Sequence, residues 1–275
     1  MTSREPVDIA AIRAAVANPN GPYARVDYTA FTGSTNADLV AAGHQNAPAW
    51  TAAVTEYQNS GRGRHGRVWT APKGSQVTLS ILIRPTAESI ERLGTMPLVS
   101  GIAIIDALTA TAARHPDATD KLTPQLKWPN DVLIDGRKLC GILAEAVSLG
   151  PEPAVVIGLG LNVSITTEEL PVPHATSLDL EAPGIEIDRA QLTADVLLAL
   201  HHRINQWVDA DPQLMADYRA VCSSIGADVK VLLPGDEELL GTVRDVADDG
   251  RLVVVDKQGS EHVLAAGDVT HLRLQ

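Results

Sequence analysis

Hydrophobic residues fall along this chain in two rhythms. Short apolar or alternating runs predict strands over Arg25–Phe31, Thr51–Gln58, Gln76–Arg84, Gln125–Ile134, Lys138–Ala146 and Ala154–Ser164. Helical spacing covers residues 8–17, which Asn18-Pro19-Asn20-Gly21-Pro22 terminates, and then Thr35–Ala42 and the long apolar stretch Met96–Ala113. Arg189–Val208 places Leu192, Val196, Leu200 and Ile204 four residues apart, the spacing of an amphipathic helix, and Gln213–Cys222 continues in the same manner. Asp135-Gly136 between two strand-like runs is a hairpin signal. Strands and helices mix without regular βαβ alternation, so the expected class is α+β, a mixed sheet packed with helices.

The pattern changes after Ile225-Gly226. Short strands follow at Val229–Leu233, Leu239–Val246, Leu252–Asp256 and Glu261–Leu264, separated by turns at Pro234-Gly235, Asp249-Gly250 and Gln258-Gly259. Evenly spaced short strands predict a small β-barrel, so residues 1–225 are expected to form one domain and 226–275 a second.

Composition narrows the possible roles. With 275 residues, 45 % of them hydrophobic, the chain can bury a sizeable core. Lys plus Arg number 22 against 34 Asp plus Glu, a formal charge of -12, which disfavours nucleic acid and anionic membranes as partners. The C-terminal fifth repeats the imbalance, with 5 basic and 10 acidic groups. Cys140 and Cys222 lack metal-type spacing and suit a reducing compartment. The first residues carry Arg4, Glu5 and Asp8 with no apolar leader segment, and no uncharged apolar stretch reaches 18 residues. A cytoplasmic protein without membrane spans is expected.

Against this acidic background, residues 62–84 hold Arg62, Arg64, Arg67, Lys73 and Arg84 and no acid. Gly61-Arg62-Gly63-Arg64-His65-Gly66-Arg67-Val68-Trp69 combines glycines that permit close approach, guanidinium forks suited to phosphate or carboxylate, and a ring able to cover a planar base. Gly61, Gly63 and Gly66 also spell the dinucleotide fingerprint, but that motif needs a helix directly after it, and Thr70-Ala71-Pro72-Lys73-Gly74 is a turn. A basic RNA-binding loop and a solvated charged loop are the other readings.

Lys127-Trp128-Pro129-Asn130-Asp131 interrupts a strand where proline removes a ladder donor. Asn130 offers the donor and acceptor an adenine edge requires, or else an Asx turn, and Asp131 could orient a cation or an amine. Lys138 opens an apolar strand, as a surface charge or as a cation aimed into a pocket. Cys140 is most simply a small buried hydrophobe. Gly158 and Gly160 imply close approach by a ligand or a neighbouring strand, with Asn162 as site polarity or turn former. Adjacent His201 and His202 do not share a helix face and take no site role.

Taken in order, Gly33-Ser34-Thr35-Asn36, Glu56-Tyr57-Gln58, the glycine–arginine segment, Lys127–Asp131, Lys138 through Glu145 and Gly158–Asn162 closely resemble the biotin protein ligases, and the tail resembles that family's SH3-like C-terminal module. The resemblance implies that biotin and MgATP form biotinyl-5′-adenylate, after which a lysine of the biotin carboxyl carrier domain of acyl-CoA carboxylases displaces AMP. It implies catalytic roles for Lys138, Arg64 and Asp131. On the biotin side it places Ser34, Thr35, Asn36, Gln58, Gly61, Arg62, Arg64, Lys138, Gly141 and Gly160. On the ATP and adenylate side it places Arg62, Gly63, Arg64, Arg67, Trp69, Lys127, Asn130, Lys138 and Asn162. Mg2+ is expected on the ATP phosphates, with no assigned protein ligands. Some relatives carry an N-terminal DNA-binding head; only 33 residues precede Ser34, with three basic and three acidic groups, so a ligase without operator binding, a monomer or weak dimer, is expected. The rivals are a lipoate or octanoyl ligase of the same broad fold and a non-catalytic scaffold.

Overall fold

The structure, a computed structural model, describes residues 4–115, 121–233, 237–265 and 268–271. In chain order the elements are α1 (Ile9–Val16), β1 (Arg25–Thr29), α2 (Thr35–His44), β2 (Thr51–Thr55), β3 (Gly61–Arg62), β4 (Val68–Trp69), β5 (Gln76–Ile83), α3 (Met96–Arg114), β6 (Gln125–Lys127), β7 (Asp131–Ile134), β8 (Arg137–Ser148) and β9 (Ala154–Asn162). After them come α4 (Leu178–Glu181), α5 (Arg189–Val208), α6 (Gln213–Val221), β10 (Asp228–Leu232), β11 (Glu238–Val246), β12 (Leu252–Asp256), β13 (Glu261–Leu264) and β14 (Asp268–His271).

The class is α+β. One seven-stranded sheet runs β1-β2-β5-β9-β8-β7-β6; β1 and β2 are parallel and the remaining neighbours antiparallel, so the sheet is mixed. Period-two alternation gives this sheet two different faces. Val77, Leu79, Ile81 and Ile83 of β5, with Val155, Ile157, Leu159 and Leu161 of β9, join α3 and α5 in the main core. Gln76, Thr78 and Ser80 point the other way and pair with Asn162, Gly160 and Gly158. On that second face, α2 packs Leu39 against Leu82, Ala154 and Val156 at one end and leaves the rest uncovered.

α3 is apolar enough to span a bilayer: the helical stretch Glu88–Arg114 holds an 18-residue window of mean hydropathy 1.6, 67 % of it buried inside the protein. Leu98, Ile102, Ile104 and Leu108 sit in the core between the sheet and α5, and each such side chain contributes about 1.5–3 kcal/mol on burial. Its apolarity is that of a core helix.

The second sheet is antiparallel, ordered β13-β12-β11-β10-β14. Its turns at Asp249-Gly250 and Gln258-Gly259 are as expected, with both glycines at positive φ; Pro234-Gly235 lies outside the described residues. The core is continuous between the two sheets: Val229, Val231, Val243, Val246, Leu252 and Val254 belong to the same buried cluster as α3. Trp128, 2 % exposed, donates its indole N–H to the Gly250 carbonyl at 2.9 Å, and its backbone N–H reaches Ser224 Oγ at 3.2 Å.

Candidate active site

The uncovered face of the large sheet floors a cleft of about 1210 Å³. The glycine–arginine segment stands over it as a two-stranded hairpin, with Gly61 opposite Trp69 and Arg62 opposite Val68. Gly63 N–H to Arg67 C=O at 2.7 Å closes the tip, where His65 and Gly66 adopt φ of 55° and 73°. A turn and then β5 follow this hairpin, so the dinucleotide reading lacks the helix it needs. Of the five cations clustered in the sequence, Arg62, Arg64 and Arg67 line the cleft. Lys73 is not part of its wall, and Arg84 faces elsewhere, donating to the Gly43 and Ala47 carbonyls at the end of α2. Instead Lys127, Arg137 and Lys138 complete the cationic lining.

Lys138 reaches the cleft because β8 is irregular. Asp131 pairs with Gly141 and Val132 with Cys140, but Leu133 pairs with Lys138, a slip of one residue that leaves Leu139 as a bulge. Leu139 and Cys140 both enter the core at 0 % exposure, while Lys138 returns to the cleft face shared by Gly141 and Leu143. The Asp135-Gly136 hairpin turn preceding it has both residues at positive φ, as the sequence predicts. The Lys138 backbone is clamped from outside the sheet, receiving Thr176 N–H and donating to His174 C=O at 2.9 and 2.7 Å. Its ammonium lies 2.6 Å from Asp131 Oδ1 and 5.4 Å from the centroid of the Trp69 ring.

Two glycines make room for that ring, and a third for Asn36 and Ser80. A Cβ on Gly160 would lie 2.5 Å from Trp69 Cε2, and one on Gly141 would lie 2.9 Å from Trp69 Cζ3. A Cβ on Gly158 would lie 2.8 Å from Asn36 Cγ and 2.9 Å from Ser80 Oγ. The close approach foreseen at Gly158 and Gly160 is therefore made by side chains rather than by a neighbouring strand's backbone. The indole N–H donates to Gln76 Oε1 at 3.1 Å, Gln76 Nε2 donates to Asn162 Oδ1 at 2.5 Å, and Asn162 Nδ2 donates to the Thr176 carbonyl at 2.7 Å. Asn162 is thus buried at 2 % exposure beneath the cleft, with both ends of its amide engaged, and it is not among the lining residues; nor is Gly61, which packs on Trp69.

The opposite end of the cleft is polar and ordered in its protons. Ser34 caps α2, and Thr35 and Asn36 occupy its first turn. Asn36 Nδ2 faces two acceptors, Glu145 Oε2 at 2.6 Å and the Leu143 carbonyl at 3.3 Å, so its oxygen must turn to Ser80, which donates at 2.6 Å. Ser80 then has only lone pairs for Thr35 Oγ1, 2.7 Å away, and Gln58 Oε1, a second acceptor, lies 3.1 Å from the same hydroxyl, so the single Thr35 proton is directed at these two oxygens. Gln58 turns its amide oxygen toward Thr35 N–H at 2.8 Å and its Nε2 toward Gly61. Arg62 Nη2 stands 3.4 Å from Glu145, joining the hairpin to this network.

At the other end, Arg64 Nη1 donates to Asn130 Oδ1 at 3.3 Å and Asn130 Nδ2 to the Ile142 carbonyl at 2.8 Å. Pro171, Val172, Pro173 and His174, with Ala227 and Val269 of the C-terminal module, finish the wall. Burial pushes the Cys140 thiol far up from its ordinary pKa, only partly offset by nearby Lys138, which makes it an inert hydrophobe. His201 packs against Trp50 at 4.5 Å, remote from the cleft lining. Among the described residues no three His, Cys, Asp or Glu side chains converge on a metal position.

Sequence reasoning missed Gln76, Ser80 and Glu145. The signal was present for two of them: Gln76, Thr78 and Ser80 are the polar members of an otherwise apolar strand, two apart and so on one face. Glu145 needed its register with β9 to be known.

Residues 28–162 match the profile of the Biotin/lipoate A/B protein ligase family, and residues 224–272 match the Biotin protein ligase C terminal domain. The biotin–[acetyl-CoA-carboxylase] ligase of Mycobacterium tuberculosis is 41 % identical over 98 % of this chain and 97 % of its own length. The chain belongs to the biotin protein ligase family. The bifunctional ligase/repressor BirA of Escherichia coli is a more distant member of this ligase family, 31 % identical over 74 % of the chain and 61 % of its own length. A biotin protein ligase from Aquifex aeolicus, solved in complex with biotin and ATP, shares the fold at a TM-score of 0.73 and 24 % identity, covering 92 % of this chain and 100 % of that one.

Proposed function

We propose that this protein is an ATP-dependent biotin protein ligase. It forms biotinyl-5′-adenylate from biotin and MgATP, then transfers biotin to a lysine of the biotin carboxyl carrier domain of acyl-CoA carboxylases. The observation that carries the reading is the bulge-directed Lys138, placed between the polar end of the cleft and the arginine hairpin. Attack of a carboxylate on an α-phosphate joins two anions, so the barrier is lowered chiefly by fixed cations at the point of union. Lys138 is that cation, bridging the biotin carboxylate and the phosphate. Arg62, Arg64 and Arg67 bind the phosphate and close the hairpin over the adenylate, which keeps water from a hydrolysable mixed anhydride. Gly63 permits the tight tip, and Lys127 adds positive charge beside Asn130 and the adenine end. Trp69 covers the adenylate.

The polar end reads as the ureido site. Thr35, whose proton is directed at Ser80 and Gln58, presents lone pairs to ring N–H groups. The Gln58 NH2 and the Ser34 hydroxyl suit the carbonyl, while Gly141 and Gly160 leave the floor open. A dithiolane or alkyl head has nothing to exchange with these groups, which favours biotin over lipoate or octanoate. Asp131 holds Lys138 before phosphate arrives and is placed to receive the acceptor lysine's ammonium in the second half-reaction. Mg2+ enters with ATP as part of the substrate, held by its phosphates.

Residues 1–225 form the catalytic part and 226–275 the SH3-like module. The enzyme is placed in the cytoplasm as a monomer or weak dimer, and its net acidity supports a ligase that does not bind an operator. The test offers biotin, lipoate and octanoate separately with MgATP, follows pyrophosphate, then adds an apo carrier domain and follows label transfer. Release with biotin that is lost in Lys138→Ala is expected; release with lipoate and none with biotin would overturn the reading. A salt-dependent, sequence-specific shift of biotin-operon DNA would refute the absence of repressor activity.

A further inference from the structure

We propose that Gln76, which does not line the cleft, is a positioning residue of adenylate formation: it fixes the plane of the Trp69 indole and, through that ring, the place of the Lys138 ammonium. The inference rests on the proposed ligase reading for its kinetics and on geometry for its structure. Gln76 is 6 % exposed, and its hydrogen bonds fix which end of the amide is the oxygen. Its oxygen accepts from the Trp69 indole at 3.1 Å and from the Thr78 hydroxyl at 3.2 Å, both donors in this arrangement. Its NH2 donates to Asn162 Oδ1 at 2.5 Å, and Asn162 cannot reverse because its own NH2 is committed to the Thr176 carbonyl at 2.7 Å. Thr176 N–H is in turn bonded to the Lys138 carbonyl at 2.9 Å.

One continuous line of bonds therefore starts at the indole and ends on the backbone of the lysine whose ammonium stands over the same indole. Among the described residues the indole N–H makes this one hydrogen bond, and the ring lies against the bare backbones of Gly141 and Gly160, along which it could slide or tilt. If the ring leaves, the part-buried indole N–H loses its partner and the buried carboxamide oxygen keeps only the Thr78 hydroxyl, so the bond selects one orientation. Asp131 at 2.6 Å and the ring face at 5.4 Å together locate Nζ, and a displaced ring removes one of the two.

The test is a double-mutant cycle of Gln76→Met with Trp69→Phe, read as kcat and KM for biotin-dependent pyrophosphate release. Methionine keeps length and burial but cannot accept from the indole; phenylalanine keeps a ring but removes the N–H. The expected result is a fall in kcat of about tenfold for Gln76→Met alone, the factor that corresponds to one lost oriented bond. On the Trp69→Phe background the same change should cost less than about twofold, because no N–H remains to be held. Equal losses on both backgrounds, with circular dichroism unchanged, would show a merely structural glutamine and overturn the proposal.

A second measurement needs no substitution at Gln76. In 15N-indole-labelled protein, the Nε1–H signal that disappears in Trp69→Phe should exchange with solvent at least about a hundredfold more slowly than a free indole. Free-indole exchange would also overturn the proposal. If the wild-type protein released no pyrophosphate with biotin while the Trp69 proton stayed protected, the ligase reading would be the part that failed.

Discussion

Adding one methyl group at two neighbouring cleft positions should separate catalysis from stability. Gly158 and Gly160 lie two residues apart on β9, on the same face, but they shelter different partners. In Gly160→Ala the new Cβ would stand 2.5 Å from Trp69 Cε2 and 2.8 Å from Cζ2, so the indole must lift. Lifting breaks one hydrogen bond, that to Gln76, worth about 1 kcal/mol. Replacing a strand glycine returns a comparable amount by restricting the unfolded chain. The Tm of Gly160→Ala should therefore stay within about 3 °C of wild type, while kcat/KM for pyrophosphate release falls by at least about tenfold because the ring proposed to cover the adenylate is displaced.

Gly158→Ala instead drives a methyl into Asn36, whose displacement breaks bonds with Glu145, Leu143 and Ser80. Three buried polar contacts at about 1 kcal/mol each give a loss of roughly 3 kcal/mol and a Tm decrease of roughly 6–10 °C. Here the catalytic change should appear in the KM for biotin more than in that for ATP. Differential scanning fluorimetry and a coupled pyrophosphate assay on both variants are sufficient. Wild-type kcat/KM in Gly160→Ala, or a smaller Tm shift in Gly158→Ala than in Gly160→Ala, would refute the assignment of these spaces.

Further outcomes follow from the same geometry. Asp131→Asn should keep Lys138 in the cleft but weaken its hold, so label transfer to the carrier should fall more than adenylate formation; a larger effect on the first half-reaction would contradict the role given to Asp131. Trp128→Phe strands the Gly250 carbonyl and should cost about 1–2 kcal/mol by urea titration, with little cavity formed. Burial, and after it the charge of His202, holds the His201 pKa below its ordinary 6.5. The folded state thus binds this proton less readily than the unfolded state, and the stability involved is present at neutral pH and lost as pH falls below about 6.5. The Tm drop between about pH 7.5 and pH 5.5 should shrink in His201→Gln. Cys140 should resist iodoacetamide in the native protein and react only on unfolding, since its buried thiol stays protonated.

Much of this architecture was legible in the linear pattern. Periodicity located α3, α5 and the strands of the large sheet to within a few residues because those elements are buried on well-defined faces. Arg64, Lys138 and Asn130 entered the site through the order of motifs and the family they resemble; taken singly, Lys138 also suits a surface charge and Asn130 an Asx turn. What stayed hidden depended on register. Residue spacing alone does not say which way Lys138 faces; an extra residue in β8 does, and nothing about Leu139 announces a bulge. The cluster of five cations looked like one site in the sequence, yet Arg84 lies at the far end of β5's extended rise, beside α2. The glycines at 158 and 160 invited a ligand or a strand, and only the folded hairpin brings Trp69 across to meet one of them.

The contact between Trp128 and the Gly250 carbonyl sets an order of events during synthesis. The Lys127–Asp131 segment is made near the middle of the chain, but the groups that hold it, Ser224 and Gly250, are made roughly a hundred residues later. At typical elongation rates of about 5–20 residues per second, some 5–20 seconds separate the two. During that interval the large sheet can form while the Lys127–Asp131 loop lacks its Ser224 and Gly250 contacts. A nascent chain stalled before Gly250 should therefore hold a folded sheet and an unfinished cleft, so that activity begins only when the last strands have left the ribosome.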